Sequence, residues 1–210
     1  MRFPLSLYLA ILTLSFVLPA CTSRLLREAE TAEARGEYHQ AMGLYKKLYQ
    51  RTPREQRAEK ARLAFRSGEN ARCLRAFASA RTSYHSALKY QYPDSLLLIR
   101  LAEVALATGA YQEALTFARR YLSYDSASRE ARLLEEGADF ALRTAHPSFP
   151  SVLRYKVTRS GHLSSSRSDY GVAYSPEGKT IYFTSHRRPS AGVSTQSPIT
   201  GEGLGRIYAL

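Results

Sequence analysis

Gly36-Glu37-Tyr38-His39-Gln40-Ala41 returns as Gly109-Ala110-Tyr111-Gln112-Glu113-Ala114, an offset of 73 residues. Between them stands Arg75-Ala76-Phe77-Ala78-Ser79-Ala80, with an aromatic and an alanine in the same places, so the alanine-to-alanine steps are 39 and 34 residues. Four and seven positions after each alanine come Tyr45 and Leu48, Tyr84 and Ala87, or Ala118 and Tyr121. That spacing marks one face of a helix, and a fixed period of this size marks a repeated helix pair. The preceding stretches carry the same pattern in Leu25, Ala29 and Ala32, in Ala64, Gly68 and Ala71, and in Leu98, Leu101, Ala102 and Ala105. Pro53 and Pro93 close the first two units, because proline cannot continue a helix. Gly36 and Gly109 stand between paired helices, where a positive φ is often needed. In the middle unit Arg75 takes that place and the step is longer, which leaves its turn the least defined of the three.

This pattern resembles the tetratricopeptide repeat, a helix–turn–helix unit of about 34 residues. The fold class expected is mainly α: an α-solenoid over residues 21–145, about three units, with a capping helix from Ser126 to Thr144. Ala131, Leu134, Ala138 and Ala141 form the inner face of that last helix, and Glu135-Glu136 belong to its solvated side. The resemblance implies that partners bind on the concave face of the first helices. By repeat register that face holds Glu30 and Glu33, then Arg62, Phe65, Glu69 and Arg72, then Ile99 and Glu103. Phe65 would take an apolar anchor of an extended segment while the guanidiniums of Arg62 and Arg72 pair with its carboxylates.

His146-Pro147-Ser148-Phe149-Pro150 breaks the helical pattern. Residues 146–168 read as a linker and a first strand, Val152 to Val157, followed by a Ser-rich loop. From Asp169 to Arg187 two alternating strands flank Ser175-Pro176-Glu177-Gly178, a turn in which proline presets φ and glycine takes the positive-φ position. This is similar to the repeat of WD40-like propellers of the TolB type, with Glu177 where the family usually has Asp, and Gly205 to Leu210 would begin the next strand of the blade. Residues 169–210 would thus be a partial blade. One blade cannot bury both faces of its sheet, so the sequence is expected to be part of a longer protein with an exposed strand edge.

At the other end, Met1-Arg2 precedes a run from Phe3 to Ala20 with no ionisable side chain except Tyr8. A basic start, an apolar core and small residues at the close describe an export signal over residues 1–20. Leu18-Pro19-Ala20-Cys21 resembles the lipobox of bacterial lipoproteins, although Pro19 departs from the usual small residue. The resemblance implies cleavage before Cys21 and acylation of its thiol, an anchor that takes more than one chain to hold. Cys73, the second of two cysteines, is then expected as a small buried hydrophobe.

The composition of the 210 residues, 44% apolar and 23% charged, excludes a disordered chain, and two cysteines exclude a disulfide framework. Five scattered histidines show no metal-ligand spacing, and the Ser164-Ser165-Ser166, His162 and Asp169 letters lack a nucleophile elbow. No enzyme activity, metal or cofactor is expected. The net charge is +12, and from Lys46 to Arg81 eleven Lys/Arg face three Glu. Export removes nucleic acid as a partner, leaving anionic lipid, an acidic protein surface or a purely solubilising face.

Lipobox, helical repeat and propeller blade in this order resemble outer-membrane lipoproteins of Bacteroidota that end in an OmpA-like domain, as in the periplasmic lipoprotein of the type IX secretion machinery. The resemblance implies a lipid-anchored scaffold on the periplasmic face of the outer membrane. Its partners would be other envelope or secretion-complex proteins and the membrane, with peptidoglycan reached only through a missing C-terminal domain. The alternatives are a periplasmic peptide- or carbohydrate-binding accessory that uses the propeller, or a propeller-bearing peptidase.

Overall fold

The computed structural model describes residues 23–144, 158–187 and 196–210. The expected export signal over residues 1–20, Cys21 and the strand expected at 152–157 lie outside the described residues. The chain is mainly helical with a small antiparallel sheet, and it divides into two units, Met1–Phe149 and Pro150–Leu210.

In the first unit α1 spans 23–34, and α2 (Tyr38–Arg51), α3 (Arg57–Cys73), α4 (Phe77–Lys89), α5 (Leu96–Ala107), α6 (Tyr111–Leu122) and α7 (Arg129–Thr144) follow. Each first helix turns into its second through the same pair of backbone hydrogen bonds. Gly36 N–H donates to Glu33 C=O and Glu37 N–H to Ala32 C=O; Arg75 and Ala76 do the same to Arg72 and Ala71, and Gly109 and Ala110 to Leu106 and Ala105. This closure needs one left-handed residue, supplied by Gly36 (φ 72°), Arg75 (φ 57°) and Gly109 (φ 78°). The residue before each second helix also repeats, at φ −78°, −80° and −86° for Glu37, Ala76 and Ala110, without a side-chain cap. The middle turn is therefore as regular as the others. The long step comes from α3, which at 17 residues is five longer than the 12-residue α5.

Packing explains why the turn prevails over the preference of Arg75. Ala32 and Ala41, Ala71 and Ala80, and Ala105 and Ala114 sit on either side of the three turns, each at most 2% exposed and each pair in one apolar cluster. Side chains this small let two helices cross closely. One turn on, Tyr45 and Tyr84 are fully buried. Gly68 makes room for the second ring: a Cβ there would stand 2.5 Å from Tyr84 Cε1.

Leu98, Leu101, Ala102 and Ala105 are all buried, as their spacing predicts. In α7 Ala131 and Ala138 are fully buried and Leu134 packs on the main cluster. The helix begins at Arg129 rather than Ser126, because Asp125 accepts from the Ala127 amide in a local turn and Ser128 Oγ then accepts from Ala131 N–H. Glu135 is not simply solvated: its carboxylate accepts from Arg119 Nε of α6 at 2.8 Å. Cys73 is exposed, the last residue of α3 and off the Ala64–Gly68–Ala71 stripe, so the expectation of a buried thiol is wrong.

In the second unit β1 (Asp169–Tyr174), β2 (Ile181–Ser185) and β3 (Arg206–Ala209) form one antiparallel sheet in chain order. Gly178 takes the left-handed position of the expected turn at φ 68°. Gly171, at φ 67°, lies in an irregularity between Tyr170 and Ala173 that shifts the register. Asp169 accepts from Ser185 Oγ, the Ser165 amide and Arg187, bonds that hold its carboxyl well below the usual carboxylate range. Arg187 also lies over the stacked rings of Phe183 and Tyr208. Tyr170, Tyr182 and Ile207 remain exposed on the sheet.

Two substitutions separate close packing from turn strain in urea unfolding of the purified protein. Gly68→Ala is expected to destabilise by about 1–3 kcal/mol, because the added methyl meets the Tyr84 ring. Arg75→Gly is expected to stabilise by about 1 kcal/mol, because glycine adopts the left-handed turn without strain.

Candidate partner-binding surface

The face expected to bind partners is built from α1, α3 and α5, and the structure brings most of its residues together with one another. Arg62 of α3 holds Glu59 with two hydrogen bonds, at 2.8 and 3.0 Å, and reaches Glu30 of α1 at 3.9 Å. The Glu59 bonds hold the Arg62 guanidinium above even its ordinary high pKa. Arg72 pairs with Glu69 at 3.2 Å and with Glu103 of α5 at 3.5 Å. Two arginines outside the sequence-based set complete the ladder. Arg66 binds Glu33 of α1 at 2.6 Å, and Arg100 meets Glu69 at 3.3 Å, Glu103 at 3.2 Å and Glu130 of α7 at 3.6 Å. A band of alternating charge thus links all four helices.

Arg66 and Arg100 had a signal in the sequence. Arg27-x-x-Glu30, Arg66-x-x-Glu69 and Arg100-x-x-Glu103 recur at the same 39- and 34-residue steps as the alanines. In the second and third units the arginine reaches back to a glutamate of the unit before. The tyrosines join the ladder from below: Tyr45 donates to Glu33 and Tyr84 to Glu69. Asn70, fully buried, donates to Glu33 at 3.0 Å. Burial first, and then the Glu33 carboxylate, pushes the Tyr45 hydroxyl up to about 12. Burial and Glu69 move the Tyr84 hydroxyl further in the same direction.

The expected groove chemistry needs correction at three points. Phe65 is 7% exposed and its ring stacks on Tyr92 at 4.2 Å, so it fills the core and offers no seat for a ligand. It stands at the edge of the charged face of α3, where the apolar ring turns inward. Ile99 is 3% exposed and equally closed. Arg62 and Arg72 are engaged by Glu59, Glu69 and Glu103, so an acidic partner would have to displace carboxylates already in place.

Different residues remain open on α2 and the turn that follows it. Of the eleven cations between Lys46 and Arg81, Arg62, Arg66, Arg72 and Arg81 are ion-paired. Lys60 is buried and caps α2, donating to the carbonyls of Tyr49 and Thr52. Lys46, Lys47, Arg51 and Arg54 are exposed and have no acidic partner among the described residues. A cavity of about 310 Å³ lies between α2 and α4 beside Lys46. Among the described residues no group of three His, Cys, Asp or Glu could hold a metal ion, and no helix is long and apolar enough to cross a membrane.

Glu69→Ala leaves Arg72, Arg100 and Tyr84 without their shared acceptor, and chemical denaturation is expected to show a loss of about 1–3 kcal/mol. Glu30→Ala, which removes one long and half-exposed pair, should change stability by less than about 0.5 kcal/mol. Raised tyrosine pKa values also set an alkaline limit. The unfolded chain loses these protons near pH 10 and the folded one later, so stability is full below about pH 10 and falls as pH rises toward about 12. Tyr45→Phe is expected to flatten that fall in a series of unfolding curves from pH 9 to 12.

No protein-family model matches the chain, and no curated protein matches it.

Proposed function

We propose that this protein is a non-catalytic binding scaffold, lipid-anchored through Cys21 on the periplasmic face of the outer membrane, that helps assemble an envelope or secretion complex. In this reading the helical unit is a tetratricopeptide-type stack and the sheet is part of a WD40-like propeller blade. The observation that carries it is the threefold recurrence of one helix turn, with the same hydrogen bonds and the same flanking alanines at steps of 39 and 34 residues. Repeats of this kind offer extended faces to other macromolecules, each unit contacting its neighbours. The uncovered Tyr170, Tyr182 and Ile207 support the blade, since a sheet with such a face calls for further sheet against it. The anchor rests on the resemblance of Leu18-Pro19-Ala20-Cys21 to a lipobox.

The test is metabolic labelling with palmitate, followed by envelope fractionation and cross-linking in the native host. The protein is expected to label, to sediment with outer membrane and to cross-link to other envelope proteins, while Cys21→Ser loses the label and leaves the membrane fraction. A protein found free in the cytosol, or one that converts a small molecule with turnover when purified, would overturn this reading.

A further inference from the structure

We infer that the groove between α2 and α4 is a docking site for an acidic segment of a partner protein bearing an apolar anchor residue. This rests on the scaffold reading and gives it a surface: the second-helix side, opposite in character to the paired Arg–Glu face. The groove encloses about 310 Å³. One wall is Met42, Lys46 and Tyr49 of α2, at helical spacing, and the other is made of small hydroxyl residues of α4, among them Ser83 and Ser86. Ala64 and Ser67 of α3 also line it.

The lining sets the shape of the ligand. Thr82 and Ser86 donate their hydroxyls to carbonyls of their own helix, and Ser67 and Ser83 share a contact at 3.4 Å. The α4 wall thus makes few polar demands, and its short side chains let a partner backbone come close. Met42 and Tyr49 on the facing wall supply apolar surface for an inserted side chain, and methionine adapts to more than one shape.

Charge selects the occupant. The cations of α2 and α4 are Lys46, Lys47, Arg51, Arg81 and Lys89, and neither helix contains an Asp or Glu. Only Arg81 of the five has an acidic partner among the described residues, Glu113. The glutamates of α1, α3 and α5 are held largely by arginines of their own ladder. Lys46 stands in the groove wall with Lys47 next to it, so carboxylates flanking the anchor would find cations that no internal acid neutralises. A lipid headgroup layer would meet the same lysines without entering the groove. That difference separates the two occupants.

The experiment uses the purified Cys21→Ser protein and two probes: a fluorescein-labelled peptide alternating Asp/Glu with Leu/Phe, and phosphatidylglycerol vesicles. The protein is expected to bind the peptide in an anisotropy titration. Ser83→Trp, which fills the groove, and Lys46→Glu, an exposed change that leaves the core intact, should each weaken binding about tenfold or more. Vesicle binding should be unchanged by Ser83→Trp. The inference is overturned by the absence of peptide binding, by equal affinity in both variants, or by binding to vesicles alone. Circular dichroism melts verify that each variant folds, and Lys46→Glu decides the matter if Ser83→Trp does not. Envelope cross-links that persist in a Lys46→Glu strain while peptide binding is lost would remove this groove and leave the scaffold standing.

Discussion

Close approach of helices across a tight left-handed turn is the constraint on which the helical unit depends. Alanine pairs flank each turn, and any larger side chain at these fully buried places would push the helices apart. The backbone geometry is common to all three turns even though the central residue is glycine in two and arginine in one. Packing outweighs the local preference, because about 1–2 kcal/mol of strain at Arg75 is small beside the burial of a whole hairpin face.

Two tyrosines carry this constraint from the core to the surface. Tyr45 and Tyr84 are buried up to their hydroxyls, which meet Glu33 and Glu69. Those carboxylates are also the acceptors of Arg66 and of Arg72 and Arg100. The position of the ladder is therefore set from below by the core rings. An exposed ion pair contributes little, but pairs that share acceptors and lose solvent together act as a connected network. The consequence is a first-helix face whose glutamates are held largely by its own arginines, and an α2 whose Lys46, Lys47 and Arg51 have no acidic partner among the described residues.

The same physics accounts for the five additional residues of α3. They extend the helix at its start, leaving the turn untouched, and they bring Lys60 under the end of α2. There its ammonium satisfies two carbonyls that a helix end leaves without partners and lies over the Tyr49 ring at 4.2 Å. A long step in the sequence is thus compatible with a regular stack, because it is absorbed where one helix can grow past its neighbour.

Periodicity and turn residues determined the helix pairs, the turns at Gly36 and Gly109, the buried stripe of Ala64, Gly68 and Ala71, and the strand–turn–strand around Gly178, while the turn at Arg75 was decided by packing. These depend on local spacing and on the backbone freedom of particular residues, which a linear pattern records directly. What only the tertiary structure decided was which polar residues are free. Arg62 and Arg72 look available in the sequence, yet they are engaged by glutamates three positions away and on the first helices of the neighbouring units. Phe65 and Ile99 share their register with charged neighbours but rotate into the core. Cys73 goes the other way, to solvent. Pairing across helices and the last tens of degrees of rotation about a helix axis come from the neighbour against which it packs, and the sequence of one helix does not contain that neighbour.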